Sequence, residues 1–279
     1  MRLFYASANR FYTILFALIL SLFLVKGNTW GQTASVTTRP SHIDLSNSTS
    51  ESAILMTLSG YSSNDARYRI YNGGNQYNCW DESTNAYVAA TGYGAGPKVV
   101  GSPTSTTTFW ILFQIGTNTT SAGSYRDRLG TGYSSNYQTT TLPSATGFTT
   151  SSYNLTGTIA GCAANPLTKK YVVLGFDATS GGNLIVASST ALTSGTFSLS
   201  APNSITIRRV EIRSISNDIL STTTGTWSSS TNIGASISIC SYTVTYNSNG
   251  GSGTMSNQTA STATNLTSNT FTRSGYIFS

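Results

Sequence analysis

Charged residues make up only 9% of this 279-residue sequence, histidine occurs once, as His42, and cysteine three times. Each shortage removes a class of function. Nucleic-acid binding needs a basic stripe able to neutralise several phosphates, whereas no Lys/Arg run here exceeds the pairs Lys169-Lys170 and Arg208-Arg209. A Ser-His-Asp hydrolase would have to be built on His42, which falls in an entry segment without strand pattern and reads as a surface residue. One histidine and cysteines without C-x-x-C spacing cannot assemble the usual zinc ligand set. No dozen residues of the chain past its leader carry an apolar stripe of period 3.6, so a helical core is not expected.

What is abundant is Ser, Thr, Asn, Gly and Tyr, together with 38% hydrophobic and 11% aromatic residues. That is enough apolar surface for a packed core, unlike a disordered chain. The hydroxyls and amides then solvate the outside in place of charge.

The N-terminus reads as an export signal. Arg2 and Arg10 precede an apolar run from Phe11 to Val25, which Lys26, Gly27 and Asn28 end short of the roughly 20 residues a membrane span needs. Thr29 and Gly31 suit cleavage before Gln32, so residues 1–31 are expected to be removed and the protein to be secreted or held at the cell surface. Without that leader the formal charge falls from +6 to +3. No membrane span is expected in the mature chain.

Period-two segments separated by turn residues fill the rest, which predicts an all-β fold, an antiparallel β-sandwich over residues 32–240. "AILMTLSGY" (Ala53 to Tyr61) and "ARYRIYN" (Ala66 to Asn72) read as strands. "TFWILFQIG" is apolar on both faces and should be a central strand. Two apolar runs, Tyr171 to Phe176 and Leu184 to Ala187, flank a Gly-rich turn as a hairpin. In "SITIRRVEI" the apolar parity changes between Ile207 and Val210, so a β-bulge at Arg208-Arg209 is expected to return both sets to one face. This late strand also looks like the closing strand of jelly-roll modules in secreted bacterial proteins.

Three pairings of Cys79, Cys162 and Cys240 are open, in a compartment where disulfides persist. Cys162 with Cys240 is preferred, because Cys240 closes the last strand of the domain and a tie to the "AGCAANP" loop would secure that edge.

Chemistry is sparse. Asp81 and Glu82 are neighbours that point to opposite faces of a strand, and Asp127 lies between two arginines, so no pair of carboxylates is poised for glycoside hydrolysis. "GYGAGPKVVG" is a loop with no helix behind it to hold a phosphate. Asp44, Asp65 and Asp177 are candidates for a structural calcium ion, without EF-hand spacing. The richest patch is aromatic: seven Tyr and Trp residues fall between Tyr61 and Tyr93. Sugar rings stack on flat aromatic faces, so Tyr77, Trp80, Asp81, Tyr87 and Tyr93 are candidate carbohydrate-binding residues, with core packing as the competing explanation.

Residues 241–279 form a separate unit. Tyr242, Val244 and Tyr246 alternate with threonines and run into "NSNGG", where Gly250 and Gly251 are expected to take positive φ. The stretch "YTVTYNSNGGSGTMSNQTASTATNLTSNTFTRSGYIF" resembles the Listeria-Bacteroides repeat, the B-repeat type of internalin B. The match lies in the Y-x-V-T-Y strand, the turn at Asn249 to Gly253, Met255, Asn269 to Phe271 and the R-S-G-Y-x-F of Arg273 to Phe278. The resemblance implies the start of a small β-grasp-like module, commonly in tandem, that serves as stalk or adhesion element. Such repeats continue with a Gly-Trp pair, so the unit is expected to be incomplete at Ser279. A non-catalytic surface adhesion or stalk protein is the first functional expectation, and a carbohydrate-binding module of a larger secreted protein, using the patch around Trp80, is the second. The partner in either case is a surface glycan or protein ligand.

Overall fold

A computed structural model describes residues 33–59, 67–72, 75–89, 107–115, 123–125, 128–133, 136–150, 152–229, 233–234, 236–260 and 264–275. The signal segment, Asp65, Tyr93 and Asp127 lie outside the described residues. Strands follow one another as β1 (Thr33–Thr38), β2 (His42–Asp44), β3 (Glu51–Ser59), β4 (Arg67–Asn72), β5 (Asn75–Gln76), β6 (Asn78–Asp81), β7 (Ala86–Ala89), β8 (Thr107–Gln114), β9 (Gly123–Tyr125), β10 (Arg128–Tyr133) and β11 (Asn136–Thr141). They continue with β12 (Ala145–Phe148), β13 (Ser152–Ala160), β14 (Val172–Phe176), β15 (Leu184–Ser189), β16 (Thr196–Pro202), β17 (Ile207–Arg213), β18 (Ile219–Trp227), β19 (Ser236–Ser238), β20 (Tyr242–Val244) and β21 (Gln258–Ala260). Among the described residues there is no helix, and the protein is an all-β sandwich of several sheets. No described helix is long and apolar enough to cross a membrane.

The largest sheet runs β1-β3-β8-β6-β7. β8 sits at its centre because Phe109, Ile111 and Phe113 on one parity and Trp110 and Leu112 on the other all demand cover, and all five are buried. The first face meets Tyr68 of β4, 5.9 Å from the Phe109 ring centroid, and Tyr77, stacked at 5.7 Å on Phe113. On the other face, Trp110 donates its indole N–H to Asn217 Oδ1 (2.8 Å) and its backbone N–H to the Ile215 carbonyl.

A second sheet, β15-β14-β17-β18, is covered on both sides as well. Val172 and Leu174 belong to the hydrophobic cluster built on β3 and β8, whereas Val173, Val210 and Ile212 belong to a second cluster with Leu155 of β13 and Leu199 of β16. The β14–β15 hairpin has the expected antiparallel register, Val172 opposite Ser189. The expected bulge is present: pairing of β17 with β18 slips between Ile207 and Arg209, and Ile207, Val210 and Ile212 thereby all reach the second cluster. Arg209 is buried rather than surface-facing, lying 4.0 Å over the Phe176 ring and donating to Glu211 Oε1 at 2.8 Å.

Most pairings are antiparallel, but β2 with β12 and β13 with β19 run parallel. Local turn signals could not announce these, since parallel neighbours are joined through distant chain. Cys162 and Cys240 form the disulfide, with Cα atoms 6.1 Å apart. Cys79 is a buried free thiol.

In the tail, β20 pairs with β21. The turn departs from expectation in one detail: Asn249 (φ 47°) and Gly250 (φ 81°) carry the positive φ, not Gly250 and Gly251. Gly251 is required for another reason, because a Cβ there would stand 2.7 Å from the Thr272 carbonyl. Ser252 and Thr272 exchange backbone hydrogen bonds, and Arg273 reaches the Asn249 carbonyl at 3.2 Å, so the N-G-G-S-G turn closes on the segment that carries "NTFTR".

Candidate functional site

The aromatic patch does not form a groove. Tyr77 and Trp80 are 1% and 4% exposed, because the sheet face they occupy is covered and their apolar area is worth more inside than in water. Tyr87 is half-buried, meeting Trp80 edge to face at 5.3 Å between centroids. Asp81 is spent on a turn: its Oδ1 accepts from the Ser83 amide (3.0 Å) and hydroxyl (2.8 Å), which shapes the β6–β7 hairpin. The expectation that Tyr77, Trp80, Asp81 and Tyr87 line a sugar site is therefore corrected: they build a wall.

What that wall supports is Lys170. Its ammonium lies 5.3 Å from the Trp80 ring centroid and 5.1 Å from that of Tyr87. Nζ donates to Glu51 Oε1 at 3.0 Å, Ser189 Oγ at 2.6 Å and the Thr190 carbonyl at 3.2 Å. Three acceptors match the three N–H bonds of an ammonium. Ser189 in turn donates to Glu51 Oε2 in a very short hydrogen bond. The Lys170 and Glu51 side chains are only 10% and 15% exposed. Burial, then the adjacent Glu51 carboxylate, pushes the Tyr87 phenol well above its ordinary pKa, so it stays protonated.

This cluster closes one end of a cleft of about 850 Å³. Its floor is the outer face of the sheet β16-β13-β19, whose inner face carries Tyr153, Leu155, Phe197 and Leu199 into the second cluster. Alternation fixes what remains outside: Asn154 opposite Ser200, Thr156 opposite Ser198 and Thr158 opposite Thr196. Neighbouring Gly157 is needed beneath, since a Cβ on it would approach the Phe197 ring to 2.5 Å. The side chains of Asn154, Thr158, Ser198 and Ser200 make no hydrogen bond to any described residue.

The opposite wall comes from residues 42–51. His42, expected on the surface outside any strand, instead belongs to β2, paired with Thr146 of β12, and is half-buried with Nδ1 2.9 Å from the Ser41 hydroxyl. Desolvation lowers its pKa, which favours the neutral ring. Asp44 lines the same wall and accepts the Ser46 amide at 2.8 Å. Asp177, another calcium candidate, holds Asn183 through its amide N–H (2.7 Å) and side chain (3.0 Å), and its pKa is lowered by those bonds. Among the described residues no group of three or more His, Cys, Asp or Glu is placed to hold a metal ion.

No protein-family model matches the chain, and no curated protein matches it.

Lys170, Glu51 and Ser189 escaped sequence reasoning because Lys170 and Ser189 lie 119 and 138 residues from Glu51 along the chain. The cleft floor had a weaker signal that was readable: "SYNLTGT" and "TFSLSA" alternate apolar residues with hydroxyls and an amide.

Proposed function

We propose that the chain is a non-catalytic protein, exported to the secreted space or the cell surface, that works as an adhesion element. The observation that carries the reading is a large cleft in which Glu51 and Lys170 are paired with each other and His42 and Asp44 are each bonded to a neighbouring serine. Glu51, Lys170 and Ser189 are mutually bonded, and Asp44 is held by Ser46. In this reading the Lys170 ammonium, with three acceptors, and the Glu51 carboxylate, bonded at both oxygens, hold the shape of the cleft, and the turnover assay below tests them for catalysis. The exposed tail, folded around the N-G-G-S-G turn and resembling a Listeria-Bacteroides repeat, serves in this reading as spacer or second adhesive unit.

A carbohydrate-binding role is the second reading, and the hydroxyl and amide floor of the cleft favours it. The test uses the purified mature chain, residues 32–279, on immobilised surface polysaccharides, glycoproteins and matrix proteins. Saturable retention without product release is expected. Turnover of a glycoside, ester or peptide substrate, lost in Glu51→Gln, would reject the non-catalytic reading.

A further inference from the structure

We infer that the outer face of β13 and β16 is a binding surface for an uncharged oligosaccharide laid along the two strands, which deepens the binding reading above and rests on it. The three facing pairs, Asn154–Ser200, Thr156–Ser198 and Thr158–Thr196, form rungs about 7 Å apart along the strands and about 5 Å across. Asn154, Thr158, Ser198 and Ser200 supply three hydroxyls and an amide, each able to donate and to accept, while the Thr196 hydroxyl shares a hydrogen bond with Ser194 at 2.9 Å. Sugar hydroxyls have the same dual character. Small-molecule pockets of this size are lined mainly by apolar and aromatic groups, whereas this floor is a polar row without an aromatic platform.

Charge narrows the class. Lys170, the cation lining the cleft, has its three donors occupied, and the Asp44 and Glu51 carboxylates stand nearby. A uronate, sulfate or phosphate would meet those carboxylates with no Lys or Arg besides Lys170 among the described residues lining the cleft to answer it. A peptide recognised through its backbone needs a strand edge; the cleft is lined by the outer face of β13 and β16 and also by the edge strands β2 and β15, so the peptide library below is the competing outcome. Rigidity is supplied from below, by Tyr153, Leu155, Phe197 and Leu199, all buried, and at one end by the Lys170 cluster against Trp80 and Tyr87. The aromatic residues near Trp80 thus act on the site by holding its end wall.

The experiment is an array of neutral gluco-, xylo-, manno- and N-acetylhexosamine oligomers beside uronate, sulfated and sialylated glycans, and an unstructured peptide library. Probes are the mature chain, its Asn154→Ala/Ser198→Ala variant and a Ser200→Trp variant that fills the floor. All three are compared for thermal midpoint, so that a folding defect is seen directly. Binding to neutral oligomers is expected, rising with chain length, weakened about tenfold or more by the double substitution and abolished by Ser200→Trp. Should neither variant fold, protection of the oligomer-bound wild-type chain from hydrogen exchange must fall on β13 and β16. Equal binding by all three probes, protection elsewhere, binding confined to charged glycans or to peptides, or no glycan bound overturns the inference. Adhesion of the mature chain to immobilised surface material separates the two readings: retention unaffected by both variants leaves the adhesion reading standing alone, and no retention removes both.

Discussion

Removing the charge on either side of the Lys170–Glu51 pair is expected to destabilise the protein far more than a surface ion pair would. The two side chains are 10% and 15% exposed, and the ammonium is also seated over Trp80 and Tyr87. Exposed pairs contribute about 0–1 kcal/mol, whereas breaking a buried one leaves an uncompensated charge at a cost of about 3–5 kcal/mol. The residual exposure places this pair near the lower end. Glu51→Gln and Lys170→Met are therefore each expected to cost about 3 kcal/mol, a fall in Tm of roughly 6–12 °C for a domain of this size. Methionine keeps an apolar stem against the two rings, so the loss reports charge more than packing. The double variant buries no lone charge and should recover at least half of the summed loss, which a double-mutant cycle in urea measures as coupling. Single-variant costs below about 1 kcal/mol, or strict additivity, would show that the pair is solvated and that the end wall of the cleft is not held as argued.

Thiol titration of the denatured, unreduced mature protein should find one thiol, Cys79; Cys162→Ala/Cys240→Ala opens a span of 78 residues and should cost about 4.5 kcal/mol on the chain-entropy estimate, measured by denaturant unfolding. Burial pushes Cys79 from 9.0 up to about 12. A group whose folded pKa is raised contributes stability that is present below the unfolded pKa and lost as pH rises, so stability should fall by about 1.4 kcal/mol between pH 8 and 10, a loss that Cys79→Ala flattens. Trp80→Ala should lower stability by about 3–5 kcal/mol through loss of core volume, with glycan binding affected only as far as the Lys170 wall moves. Sequencing of the secreted protein should begin near Gln32; a mature chain that retains the apolar run overturns the export reading.

Much of the fold was legible because it is written in short-range alternation. Two-sided apolarity marked β8 as central, a Gly-rich turn between apolar runs marked the β14–β15 hairpin, and a change of parity at Arg208-Arg209 marked the bulge. Alternation states which side chains share a face, but not whether a second sheet covers that face. That is why Trp80 and Tyr77 read as a candidate platform and lie in the core. The cleft was less legible still. Its floor comes from β13 and β16, its wall from residues 42–51 and its end from Lys170 and Ser189, and the pairings that gather them, including the parallel ones of β2 and β19, follow from tertiary packing. His42 looked idle for the same reason: nothing near it in sequence shows that Thr146 will be its strand partner.

The disulfide gives the protein a mechanical property. Cys240 is the residue at which the sandwich hands over to the tail, separated by Ser241 alone from the start of β20 at Tyr242, and it is bonded to Cys162, just beyond the end of β13. Tension applied through the tail passes from Cys240 across the sulfur atoms to the β13 end. Residues 163–239 lie off that line of force, and with them β14, β15, β16, β17, β18 and β19. A pulled molecule can lengthen through the tail and through the segments before Cys162, while the hairpins between the two cysteines form a loop that the load bypasses.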